Sequence, residues 1–178
     1  MKNALLINLP QYDTIAPPSA LAILAAVCSE NNYNYKFFDY NIKLHHNLSE
    51  SQLVSLSDWL VGIQPDYNCL DPEVRQKLID IWQQSMTPEY LQQFDVVAVS
   101  VFTVWSLRIA QLLLPGLRES TNATIVLGGN GCSSKFLDTK QPFDQWVKEN
   151  NLADFIVHGD GEPTFAAILQ GETNIPGV

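Results

Sequence analysis

Apolar positions fall along this chain in short unbroken runs, separated by longer stretches of mixed character. The run from Asp95 to Ser100, DVVAVS, is nearly continuous in Val and Ala. Without polar alternation, such a run suits a strand covered on both faces. It gives way to a loop, Ser100-Val101-Phe102-Thr103, so it reads as a buried central strand with a polar exit. Four other runs of strand length are Asn3–Leu9 (NALLINL), Asn34–Asp39 (NYKFFD), Ala123–Leu127 (ATIVL) and Asp154–Val157 (DFIV).

The segments between them carry helix signals. Ser19 is an N-cap for LAILAAVCSE, which is apolar nearly all round and therefore predicts a buried helix ended by Asn31-Asn32. Val104–Leu117 predicts a second helix, with Pro115 near its end. Phe143–Asn150 predicts a short one, and Pro163–Leu169 a last one closed by Gly171. Positions 43–93 interrupt the alternation. Leu53, Leu56, Leu60 and Ile63 share one helical face with Trp59 beside them. Asp71-Pro72 and Thr87-Pro88 are two further helix starts, and Val74, Leu78, Ile81 and Trp82 line the helix between them. His45 and His46 stand in a soluble loop at the start of this segment, which is too short for a core of its own.

Five strands alternating with helices predict an α/β fold: a doubly wound five-stranded parallel sheet, Rossmann-like or flavodoxin-like, with a helical insertion after strand 2. The expected order is 2-1-3-4-5, whose switch point lies between strands 1 and 3. The loops Pro10–Pro18, Ser100–Thr103 and Gly128–Gly131 then border one crevice, and His158–Glu162 extends it. Residues 1–171 are expected to form this domain. Residues 172–178 have no periodicity and read as the start of a linker to a C-terminal domain outside the chain.

The 178 residues are 46% hydrophobic and 16% charged, which places the chain among globular proteins. A net charge of −9 with scattered Lys and Arg argues against a nucleic-acid partner. No apolar run reaches the roughly 18 residues of a membrane helix. Cys28, Cys69 and Cys132 are far apart and form no CxxC or CxxxCxxC spacing, so an all-cysteine metal site is not expected. Three free thiols fit a reducing cytoplasm.

The motifs narrow the chemistry further. Gly128-Gly129 after a strand permits close backbone approach or a tight turn. Neither GxGxxG nor GxxxxGK[ST] occurs. A flavodoxin-like flavin site is disfavoured too, because prolines stand where a phosphate loop needs N–H donors. Ser100 and Thr103 offer hydroxyls to a ligand, with Thr103 equally suited to capping the next helix. Asp39 and Asn41 leave strand 2 either as ligand contacts or as a polar strand exit. Asp160 and Glu162 could form an acid/base pair, but a carboxylate before Pro163 also suits a helix N-terminus. No nucleophilic elbow or HExxH is present. The residues describe a ligand-binding domain without evident catalytic apparatus.

In order, the segments ALLINLP, PPSALAILAAV, FFDYN, VVAVSVFT, IVLGGN and DFIVHGDGEPTF resemble the N-terminal cobalamin (B12)-binding-type domain of B12-dependent radical S-adenosylmethionine enzymes. Pro17-Pro18 resembles the family's PPLG-type loop, departing from it at Ser19 and Ala20. Gly159–Phe165 resembles its GEGE-x-TF run, with Asp160 in place of Glu. Ser100-Val101-Phe102 and Gly128-Gly129 correspond to the SxL and GG elements that in the family flank the nucleotide tail of cobalamin. The DxHxxG motif of cobalamin mutases is not matched, since Asp39-Tyr40-Asn41-Ile42-Lys43 has no histidine.

The resemblance implies cobalamin as cofactor, held at the C-terminal edge of the sheet. It implies a radical SAM barrel as partner domain, carrying the [4Fe–4S] cluster and S-adenosylmethionine outside this chain. The implied reaction is methyl transfer to an unreactive carbon or to phosphorus. Candidate cofactor contacts are Pro10, Pro17, Pro18, Asp39, Asn41, Ser100, Phe102, Thr103, Gly128, Gly129, Asn130, His158, Gly159, Gly161 and Glu162. No catalytic residue and no metal ligand is assigned. Small residues at Gly128 and Gly129 would keep a slot open for the tail. The alternative is a domain of the same type that has lost the cofactor and serves as an interaction module. Tyr12, Phe102 and Trp105 are the aromatics that could fill its slot.

Overall fold

The computed structural model describes residues 1–10, 19–61, 70–136, 139–172 and 175. Its strands are β1 (Lys2–Asn8), β2 (Tyr33–Asp39), β3 (Val96–Ser100), β4 (Thr124–Gly128) and β5 (Phe155–Val157). All pair in parallel in the order β2-β1-β3-β4-β5, as the alternation of elements predicts. The helices are α1 (Ser19–Glu30), α2 (Tyr40–Asn47), α3 (Glu50–Val61), α4 (Pro72–Ser85), α5 (Pro88–Leu91), α6 (Ser106–Ser120), α7 (Phe143–Glu149) and α8 (Gly161–Leu169). A 3-10 turn, Asn130–Ser133, follows β4.

The inner strands β1, β3 and β4 are buried on both faces while the edge strand β2 is largely exposed, and alternation along the strands sorts their residues. Leu5, Ile7, Val97, Val99, Ile125, Leu127 and Ile156 join one cluster with α2, α4, α6 and α7. Ala4, Leu6, Val96, Ala98, Val126 and Val157 join another with α1 and α8. Every residue of β3 is buried, which explains its unalternating sequence.

The insertion is fastened to the first of these clusters. Val74, Leu78, Ile81 and Trp82 of α4 are buried, as their spacing predicts. Asp71 accepts from Glu73 N at 2.8 Å and Thr87 Oγ1 from Tyr90 N at 3.2 Å, so both helix starts are capped by side chains. The Tyr40 hydroxyl donates to the Leu78 carbonyl at 2.6 Å. Arg108, buried on α6, donates to the Trp59 carbonyl and stacks over that indole. The insertion thus shares the main core. Ile63 lies outside the described residues.

Several expectations need correction. α2 was not predicted; its capping residue is Asp39, whose Oδ1 accepts from Ile42 N at 3.1 Å, so His45 and His46 lie in a helix and not in a loop. α6 starts at Ser106 instead of Val104 and runs to Ser120, past Pro115, because buried Leu113, Leu114 and Leu117 hold it on both sides of the proline. α1 is not buried all round: Ile23 is 43% exposed, and Ala22 and Ala26 face solvent. A helix lying on a sheet buries one face only, and hydrophobicity alone does not show how much of it is covered.

Leu5 is fully buried in the strand beside β3. Leu5→Ala is expected to cost about 3 kcal/mol of stability, as it leaves a cavity between the sheet and its covering helices that collapses only in part. Urea denaturation of the two proteins measures it.

Candidate functional site

The strands end in register. Asp39, Asn8, Ser100, Gly128 and Val157 are successive partners across all five strands, at or next to their C-terminal ends. They form one row on the side of the sheet that carries α1 and α8. The β2–β1 half of the row is polar and paired, Asn8 Nδ2 donating to Asp39 Oδ2 at 3.3 Å. In the other half Ser100, Gly128 and Val157 are small, and a cavity of about 250 Å³ opens there beneath α1 and α8.

Its walls are apolar: Leu24 from α1, Ala98, Val126 and Val157 from the sheet, and Phe165 from α8. Ser100, Asn130, Asp160 and Glu162 supply the polar side chains. Asn130, Asp160 and Glu162 are exposed, so the polar groups gather at the mouth. Among the described residues, no Lys, Arg or His lines the cavity. Two carboxylates at the start of α8 offset the positive end of its dipole, so the mouth does not favour an anion. Such a cavity suits a flat, apolar, uncharged group entering from the sheet edge.

The backbone around Val101 sets the cavity's edge. Val101 N donates to Gly128 O at 2.8 Å, and Gly131 N donates to Val101 O at 2.9 Å. A Cβ on Gly129 or on Gly131 would lie 2.6 Å from that same oxygen. Gly129 also has φ +109°, so it must be glycine for reasons internal to the fold. The expectation that Gly129 keeps a slot open is therefore corrected: it lets two exit loops touch. Gly128 and Gly161 differ. A Cβ on Gly128 would meet only Val157 Cβ, at 3.8 Å, and one on Gly161 would meet nothing within 4 Å. Both line the cavity, and neither is required to be glycine by protein packing.

Of the candidates from sequence, Ser100, Phe102, Gly128, Gly129, Asn130, Gly159, Gly161 and Glu162 come together at this cavity. The others do not. Asp39 caps α2. Thr103 accepts from Ser106 N at 3.2 Å and opens α6. Pro10 accepts from Ser106 Oγ at 3.0 Å, and with Asn41 it borders a second cavity, of about 320 Å³, against α2 and α3. His158 meets Ser133 Oγ at 3.0 Å through Nδ1. Pro17 and Pro18 lie outside the described residues.

Phe102 is half exposed beside the cavity, and Trp105, partly buried, packs against the core of the opposite face. Neither fills it, and Tyr12 lies outside the described residues. Sequence reasoning missed Asn8, which is 2% exposed in the rim row. Its signal was a polar residue closing an apolar strand. It also assigned Leu24 to buried core, not to a cavity wall.

No family model matches the sequence, and no curated protein matches it. Two solved structures of the radical S-adenosylmethionine methyltransferase TsrM from Kitasatospora setae share its fold. One, with tryptophan substrate and an S-adenosylmethionine analogue bound, matches with a TM-score of 0.56 at 16% identity. The other, with cobalamin and a [4Fe-4S] cluster bound, matches with a TM-score of 0.55 at 17% identity. Each match covers 99% of this chain and 28% of TsrM. The class defined by fold and site is thus a doubly wound parallel α/β domain with an apolar cavity at the C-terminal edge of its sheet.

Two outcomes follow. Gly129→Ala is expected to lose about 1–3 kcal/mol to steric and backbone strain, whereas Gly128→Ala stays within about 1 kcal/mol of the parent. Thermal melts of the two variants separate them. Burial, with the Asp144 carboxylate adding to it, pushes the Cys132 thiol up to about 12. The thiol therefore stays protonated at mildly alkaline pH, and iodoacetamide should modify it only after denaturation, as read by mass spectrometry.

Proposed function

We propose that this chain is the cobalamin-binding domain of a B12-dependent radical SAM enzyme, a methyltransferase. The corrin would lie across the C-terminal rim of the sheet and face a radical SAM barrel. The observation that carries the reading is the cavity beside Ser100. It is walled by small and apolar side chains, and its glycines at 128 and 161 have no steric need to be glycine. That is space kept for a ligand. It lies outside the carboxyl ends of the strands, the edge at which open α/β sheets bind ligands, but beyond β3, β4 and β5 and not at the expected switch point between β1 and β3. The cobalamin-bound TsrM, which shares the fold over 99% of this chain, supports the choice of ligand.

The chain's residues fit that group in a divided way. The cavity accepts an apolar ring, and the Ser100 hydroxyl can donate to a ring nitrogen. Phe102 and Asn130, both exposed, can meet the corrin periphery. Without a cation in the lining, a phosphodiester would stay outside the mouth, in solvent or against the partner. Bound cobalamin supplies a cobalt that carries a methyl group between donor and acceptor. The chain's own part would be to bind and orient it. The barrel would contribute the cluster and S-adenosylmethionine.

The test is to mix the purified chain with hydroxocobalamin, desalt it and record the visible spectrum. Near-equimolar retained absorbance is expected. Gly128→Leu, which pushes a side chain against Val157 into the cavity, should lower retention at least tenfold while far-UV dichroism is unchanged. A colourless parent protein with no saturable titration up to millimolar hydroxocobalamin overturns the reading and favours an interaction module. Undiminished binding by Gly128→Leu overturns the placement.

A further inference from the structure

We infer that the cavity beside Ser100 makes this chain selective among cobamides, preferring those whose lower base is an apolar benzimidazole over those with a purine. The inference rests on the cofactor reading above and adds to it which variants of the cofactor are accepted.

The argument is one of polar satisfaction. Ala98, Val126, Val157 and Phe165 are each at most 4% exposed, and with Leu24 they present only hydrocarbon to whatever enters. The strand backbone behind them is occupied by ladder hydrogen bonds to neighbouring strands. Ser100, 7% exposed, is the buried hydroxyl at the cavity, while Asn130, Asp160 and Glu162 are exposed at its mouth. A cobamide has amides around the corrin, a charged phosphodiester and a flat base at the end of its tail. Of these parts, only the base matches an apolar cavity without a cation.

A benzimidazole released from cobalt needs one hydrogen bond, to its free ring nitrogen, and the Ser100 hydroxyl can supply one. Its remaining edge is hydrocarbon and matches the walls. A purine brings several ring nitrogens, and adenine an amino group as well. Among the described residues one buried hydroxyl faces them inside, so the surplus polar atoms would lie against hydrocarbon unless they reach the mouth. Hydrocarbon walls discriminate moderately against an added polar group, and about 10- to 100-fold is the expected ratio.

The experiment is a titration of the chain, by quenching of its tryptophan fluorescence and by calorimetry, with three probes. They are hydroxocobalamin, the adenine-containing cobamide and cobinamide, which lacks a base. The benzimidazole form should bind about 10- to 100-fold more tightly than the adenine form. The adenine form should bind no better than cobinamide. Two variants then test the cause. Val157→Thr puts a hydroxyl in the wall at constant shape, and Gly128→Ser places one where a Cβ meets only Val157 at 3.8 Å. Either variant should narrow the ratio, read from both affinities. Equal affinity for the benzimidazole and adenine forms overturns the inference and leaves the cofactor reading standing. Equal affinity for hydroxocobalamin and cobinamide overturns it too, since the base then lies outside the cavity. Binding of none of the three overturns the cofactor reading itself.

Discussion

The backbone carbonyl of Val101 is held between two glycines, and the shape of the rim depends on that contact. β3 and β4 run side by side to Ser100 and Gly128, where the ladder ends and each strand must turn. Val101 N reaches back to Gly128 O, and Gly131 N reaches Val101 O. The two exits are therefore joined by main-chain bonds beyond the last strand residues. Buried backbone groups need partners, and here they find them in each other instead of in water. Only glycine at 129 and 131 lets the chains come this close. The joint fixes the position of Asn130 at the cavity mouth and holds the sheet side of the cavity open without a side chain.

The second determinant is unequal cover. The side of the sheet with α2, α4, α6 and α7 is sealed by a large cluster that includes Tyr40, Trp59, Trp82 and Phe143. The other side has α1 and α8, whose contributions are mostly Leu, Ala, Val and Ile with Phe165. Small side chains on a sheet with a row of small rim residues leave a gap between helix and strand. The insertion adds mass to the sealed side and stays away from the gap. A B12-type reading needs this asymmetry, since a broad ligand requires one free rim while the rest of the core stays rigid.

The aromatic residues speak to the choice between a cofactor domain and a scaffold. Trp105 could have plugged the cavity; it packs instead, partly buried, against the core of the far side. Phe102 sits at the rim with nearly half its surface exposed. A single exposed ring is ordinary on a protein surface; here it borders the cavity without closing it.

The sequence by itself determined the class of fold and the order of its elements. Period and length separate five short apolar runs from the helices between them, and alternation of the two leaves few topologies. The N-caps at Asp71 and Thr87 were legible because capping is local chemistry. The helix capped by Asp39 was not. A residue that can end a strand or start a helix looks the same in both roles, and packing of Tyr40 against α4 decides between them. The glycines show the limit most clearly. Four of those at the rim looked alike in sequence, yet Gly129 and Gly131 answer to a neighbouring carbonyl, while among the described residues a Cβ on Gly128 would make only an ordinary contact with Val157 and one on Gly161 would meet nothing within 4 Å. Only tertiary structure could make that division, because it depends on atoms far away in the chain, and local sequence holds no information about what stands opposite a missing side chain.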